Sequence, residues 1–438
     1  MQRTSTRWLE LAGFVLAFVA VHGFLWWLTL VSANLPLGDV TITYSRWIET
    51  GRTADFWVGI DVAWVYPILA IVPMAAAALG GVESIGTGWL LLMVLLDAVA
   101  CVFLWRFRAR VGSSDRFGVH GVRVVWWWLL FLLALGPIAL GRIDTVATVF
   151  ALVGVAFVAS RPAVASALFT AGAWTKVWPA ALVAVLLLLR RGHRRGVLAG
   201  ALVLSALIVL VDVLWGGAPY LLSFIGEQTG RGLQIESPLA TPFMWAAAFG
   251  VPGAAVFYDQ EILTFEVSGA GTSAAAAVST PLMAVVVVGA GVVLALWAAH
   301  RGARRAELAP VLALLFVAAL IATNKVGSPQ YIGWFAVPIV WGLAAGTPSA
   351  RRFVPIAVLA LPMALLTQVI YPGYYDQLLG VQPWILVVLT LRNVLEVAIL
   401  VWSVVVLVRM GRRAGSGRVS ARSSPSVHDQ PEPGRMDA

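Results

Sequence analysis

The chain has 438 residues, of which 60% are hydrophobic and only 12% are charged. A soluble globular domain carries roughly 25% charged residues, so a soluble enzyme, a nucleic-acid binder and a disordered chain are excluded together. Thirty Lys and Arg against 21 Asp and Glu give a net charge of +9, yet the basic residues fall in short blocks between apolar runs, as in cytoplasmic loops.

The expectation is an all-α polytopic membrane protein whose surroundings are a lipid bilayer. Crossing the hydrocarbon takes about 20 apolar residues. Suitable runs lie at roughly 9–32, 88–105, 124–140, 143–160, 196–214, 276–299, 308–323, 331–347, 353–370 and 384–408. Two shorter runs, near 163–174 and 177–190, flank Thr175-Lys176 as a pair of short helices. Together they predict about 12 spans. The apolar stretch from Tyr66 to Gly80 is left out of the count. If it crossed, the basic loop 106–123 would lie outside and break the positive-inside rule at its strongest block. At about 15 residues it fits an interfacial or re-entrant helix instead.

With that choice both termini and every basic block face the cytoplasm, in the plasma membrane. The first run ends in Val31-Ser32-Ala33, which prompts comparison with a signal peptide, but its length favours an uncleaved helix. Residues 1–410 form one transmembrane domain with outer loops 33–87 and 215–275. Residues 411–438, rich in Gly, Ser, Arg and Pro, read as a disordered cytoplasmic tail.

Seven basic residues remain on the outer side: Arg46, Arg52, Arg142, Lys176, Arg231, Lys325 and Arg392. Charge in or beside a bilayer is a functional hypothesis by default. Asp39 follows the first span, in Leu35-Pro-Leu-Gly-Asp39-Val-Thr-Ile-Thr-Tyr44. It reads either as a general base for a hydroxyl or as the N-cap of a helix over 41–50. Trp64-Val-Tyr66-Pro67 has the composition of an interfacial belt. In Gly141-Arg142-Ile143-Asp144 the two charges either neutralise each other or aim the arginine at a phosphate. Lys176 lies between Trp174 and Trp178, where it either snorkels or meets a phosphate, and no acid close in sequence pairs with it. Arg231-Gly-Leu-Gln234-Ile-Glu236-Ser237 and Asn324-Lys325-Val-Gly-Ser328-Pro-Gln330-Tyr331 can bind hydroxyls and a phosphate, or be plain solvated loops. Asp97 and Asp212 read as links between helices, and Glu396 pairs with Arg392 one turn away. Walker A, HExxH and DxD patterns are absent, and the single cysteine, Cys101, sits in an apolar run. No metal site is expected.

These segments together resemble the polytopic GT-C glycosyltransferases, most closely the actinobacterial glycosyltransferase family 87. The similarity rests on Asp39 and Tyr44, on Tyr66-Pro67, on Thr175-Lys176-Val177-Trp178-Pro179, on Arg231 with Gln234-Ile-Glu236-Ser237, and on Ser328-Pro-Gln-Tyr331 with Trp334. It departs from the family at Ile68, where a second proline is common, and at Arg142-Ile-Asp144, where Gly-Gln is usual.

The resemblance implies an inverting transferase moving a sugar, mannose above all, from a polyprenyl-phosphate donor to a glycolipid or cell-envelope glycan acceptor. It makes Asp39 the base and assigns Lys176, Arg231, Lys325 and Arg142 to the donor phosphate. Tyr44, Tyr66, Asp144, Gln234, Glu236, Ser237, Gln330 and Tyr331 fall to the sugar or acceptor. A monomer without cofactor or metal is the expectation. The rival class is a transporter or flippase of a lipid-linked sugar.

Overall fold

The computed structural model describes residues 2–107, 121–227 and 230–422. Most of the expected basic loop and residues 423–438 of the expected tail therefore lie outside the described residues. What is described is overwhelmingly helical, with each expected apolar run in a helix. Among the described residues, seven helices are long and apolar enough to cross a bilayer: Trp8–Val31, Val82–Arg106, Arg191–Leu214, Thr272–His300, Arg305–Ala322, Ser349–Gly373 and Pro383–Ser416. The remaining runs make shorter helices, among them Asp144–Phe157, Pro162–Thr175, Ala180–Leu189 and Ala336–Ala344. The chain is a membrane protein.

Burial separates the helices into a centre and a rim. The Arg305–Ala322 helix is 78% buried over its apolar window, whereas Arg191–Leu214 and Thr272–His300 are each 17% buried and show rows of bare Leu and Val. A helix apolar on every side belongs either inside a large protein or in lipid, and both cases occur here. The stretch 66–80 becomes a 3-10 turn, Ile68–Ala70, and a short helix, Ile71–Ala77. These ten helical residues are about 15 Å long.

Three expectations are corrected. The helix after Asp39 opens as a π-helical turn, Asp39–Tyr44, and continues as Ser45–Ala54, with no side chain capping it. The loop 215–275 contains an antiparallel hairpin, Ala255–Asp259 against Thr264–Ser268, among described residues that are mostly helical. Its strands are rich in β-branched and aromatic residues. Asp259 shapes the turn between them, its Oδ1 accepting from the N–H groups of Glu261 and Ile262 at 2.9 and 3.2 Å, the local side-chain bond that favours Asp in turns. Finally, the last helix, Pro383–Arg422, runs through the expected boundary at 411. A Cβ on Gly411 would sit 2.1 Å from the Trp297 ring, so close packing of that glycine on a neighbouring helix carries order past the apolar span.

The helices run between two chemically different ends. Arg190 donates to the carbonyls of Val158 and Ala159, and Glu307 meets both Arg352 and Arg304, at 2.8 and 3.5 Å. These basic residues, Arg190, Arg304 and Arg352, lie at helix ends. At other helix ends Asp39, Arg142, Asp144 and Lys176 meet one another and Tyr331, Trp334 and Tyr371.

Candidate functional site

The site is built on the tight connection before the Asp144–Phe157 helix. A Cβ on Gly141 would lie 2.5 Å from the Pro36 carbonyl, so this glycine lets the segment leading to Asp39 rest directly on the connection. Arg142 and Asp144 then diverge. Arg142 Nε lies 3.1 Å from Asp39 Oδ2, while Asp144 Oδ2 lies 3.7 Å from Lys176 Nζ. Asp144 Oδ1 also accepts from Trp334 Nε1 at 2.9 Å. The two charges therefore do not neutralise each other, as one sequence reading allowed; each takes a tertiary partner. Asp39 is not a cap either, since its carboxylate faces the guanidinium, with 39% of its side chain exposed. Lys176, for which no acid was visible nearby in sequence, has one in Asp144.

Aromatic rings wall the lysine. Its ammonium is 4.6 Å from the Tyr66 ring centre and 5.9 Å from that of Tyr331, inside cation–π range. On one side Tyr44, Trp47, Trp64 and Tyr66 pack at centroid separations of 5.4 to 6.3 Å. On the other, Trp178 stacks on Trp334 at 5.4 Å and Tyr331 contacts Trp334 at 4.2 Å. Burial pushes the Tyr44 and Tyr66 hydroxyls above the usual phenol range, so both are neutral near pH 7. The indole N–H groups of Trp64 and Trp178 are buried with no acceptor among the described residues, an arrangement that costs stability unless something else accepts from them. Gln330 lies close by, lining a small crevice with Asp144, Thr145, Thr148 and Trp128.

The segment from Leu233 to Ser237 runs beside the hairpin. Val267 N–H donates to Leu233 O at 3.0 Å, Ile235 N–H to Phe265 O at 3.3 Å, and Gln234 N–H to Lys325 O at 3.0 Å. Gln234, Glu236 and Ser237 are all buried. Ser237 Oγ accepts from Ala240 N–H at 3.1 Å, capping the turn Pro238–Ala240. Glu236 meets Arg392 at 2.6 Å, and Arg392 also holds Glu396 at 3.3 Å. Sequence pairing of Arg392 with Glu396 thus holds, with Glu236 as a second acid that sequence distance concealed. Glu236 and Ser237 are engaged by the protein itself.

Arg231 and Lys325, at the partly open margin, complete the cation group. Arg231 is close enough for its charge to act on both Lys176 and Lys325. Burial, reinforced by Arg231 and opposed by Glu266, holds the Lys325 ammonium below the usual lysine range. Burial likewise raises the Glu266 carboxyl, against the opposing effect of the Gly232 N–H donated to it at 2.8 Å.

Two residues important to this geometry were not singled out as binding candidates. Trp334 orients Asp144, and Tyr371 receives a hydrogen bond from Arg142 at 3.1 Å. Both sit at the ends of apolar runs, where sequence offers only the signal of an interfacial aromatic. Among the described residues, no group of three or more His, Cys, Asp and Glu is placed to hold a metal. No known family model matches the chain, and no characterised protein matches it in sequence.

Proposed function

We propose that the chain is an inverting membrane glycosyltransferase using a polyprenyl-phosphate sugar. The observation that carries this reading is a partly exposed carboxylate, Asp39, at the same end of the bundle as Lys176, Arg231 and Lys325, beside a wall of aromatic rings. Such rings stack on sugar faces, and the cations offset the charge of a leaving phosphate. In the proposed reaction Asp39 takes the proton of an acceptor hydroxyl as its oxygen attacks the anomeric carbon. The bond from that carbon to the phosphate oxygen breaks, and polyprenyl phosphate leaves with the electron pair. One displacement inverts the centre, so a β-linked donor gives an α-glycoside. A hydrolase needs a second carboxylic acid to protonate its leaving group; a phosphate leaves without one.

We assign the reaction to the outer face of the plasma membrane, with both termini cytoplasmic, because the basic blocks of the sequence fall in the connections expected on the cytoplasmic side. Mannose is the proposed sugar, a glycolipid or envelope glycan the acceptor, and a monomer the working form. The test is incubation of membranes containing the protein with labelled polyprenyl-phosphate sugars and candidate acceptors. Labelled product supports the reading; none from any sugar tried ends it.

A second reading, movement of a lipid-linked sugar without chemistry, draws on the charged pairs within spanning helices. His22 Nε2 and Asp97 Oδ2 are 3.2 Å apart and buried, and Arg392 with Glu396 lies inside the last helix. Transporters use such groups. Appearance of the labelled lipid in the opposite leaflet, chemically unchanged, would favour this reading.

Lys176 supplies a kinetic prediction. Lys176→Ala is expected to raise the donor KM while leaving the acceptor KM near wild type. Equal effects on both substrates would remove the lysine from the phosphate site.

A further inference from the structure

We propose that Arg142 and Tyr371 form a clamp that positions the segment bearing Asp39, and that Arg142 is not a ligand of the donor phosphate. This rests on Asp39 being the base of the proposed transferase. The guanidinium is largely committed already: Nε to Asp39, Nη1 to Pro36 O at 2.5 Å and Gly141 O at 3.0 Å, and Nη2 to the Tyr371 hydroxyl at 3.1 Å. These contacts engage four of its five N–H groups, and the residue is 8% exposed. A phosphate asking for a bidentate grip finds too few donors left.

Tyr371 closes the clamp from a third segment. Its hydroxyl accepts from Arg142 and donates to Asn34 O at 2.9 Å, with Leu35 O at 3.3 Å. The Arg142 guanidinium also lies 5.5 Å from the Tyr371 ring centre. Asn34 Nδ2 answers by donating to Pro372 O at 3.0 Å. The held segment is strained: Asn34 and Leu35 have φ of 59° and 45°, left-handed values that neighbouring non-glycine residues adopt only where surrounding contacts hold them. These contacts converge on the short path from the first helix to Asp39. The clamp thus sets where the carboxylate points.

Two measurements on the purified full-length protein test this. The first reads the segment directly. Val40 is fully buried beside Asp39, so Val40→Cys, in a Cys101→Ala background, reports release of the segment through maleimide labelling. Adding Tyr371→Phe, Arg142→Lys or Asn34→Gly, which each remove a different bond, should speed labelling about tenfold, the loss of roughly one hydrogen bond. Asn34→Gly keeps the left-handed backbone accessible, so it guards against misfolding as the cause. Unchanged labelling in all three overturns the clamp.

The second measurement is kinetic. Tyr371→Phe should lower kcat about 10²-fold, the cost of a misplaced catalytic group, with donor KM within about twofold. A raised donor KM at normal kcat in Arg142→Lys would instead mark a phosphate ligand and overturn the assignment. If the wild-type protein transfers no sugar, the transferase reading fails, and the labelling still decides whether the clamp exists.

Discussion

Asp39→Asn is expected to lower sugar transfer by about 10²–10⁴, the usual contribution of a general base, while the protein still inserts into membranes. Asparagine has nearly the same shape and can still accept from Arg142 Nε through its side-chain oxygen, so the 3.1 Å contact has a substitute. What is lost is the ability to take a proton. The residue is also partly exposed, which removes a packing explanation for any loss. Transfer should be measured with labelled donor in membranes adjusted to equal protein, beside Asp39→Glu as a control for reach. Turnover close to wild type in Asp39→Asn would leave the proposed mechanism without a base.

The largest effect on stability is expected at Arg392. This guanidinium lies buried between Glu236 and Glu396, touches the Glu236 carbonyl through Nη2, and donates to Asn393 Oδ1 at 3.0 Å through Nε. Asn393 in turn donates to Thr241 Oγ1 at 2.8 Å. Arg392→Met removes the guanidinium that both carboxylates contact and leaves two acids in a dry interior. Breaking a buried pair in this way costs about 3–5 kcal/mol, seen as a lowered Tm in detergent. The triple variant Glu236→Gln/Arg392→Met/Glu396→Gln should recover a good part of that loss, because no unpaired charge remains. An unchanged Tm in Arg392→Met would show that the group does not hold the 233–237 segment to the last helix. Since Gln234 belongs to that segment and Arg231 adjoins it, donor use should fall along with stability.

Apolar run length and the spacing of basic blocks were enough to recognise a bilayer protein and to locate its helices, because burial in lipid is a property of local composition. The same arithmetic drew attention to Asp39, Arg142, Asp144, Lys176, Arg231 and Lys325, since a charge among apolar residues is conspicuous wherever it occurs. Whom each charge meets was not legible. Arg142 and Asp144 are two residues apart, yet they part to Asp39 and Lys176; Glu236 finds Arg392 across 156 residues of chain. Those choices depend on which connections abut, and abutment is set by glycines at close approaches and by helix ends meeting in space. The hairpin and the helix beyond 411 escaped for a related reason: both draw support from neighbours distant in sequence. Composition therefore determined the solvent this protein folds in and the list of its unusual residues, whereas tertiary packing alone decided their partners, because electrostatic pairing is a matter of a few ångströms that sequence separation does not measure.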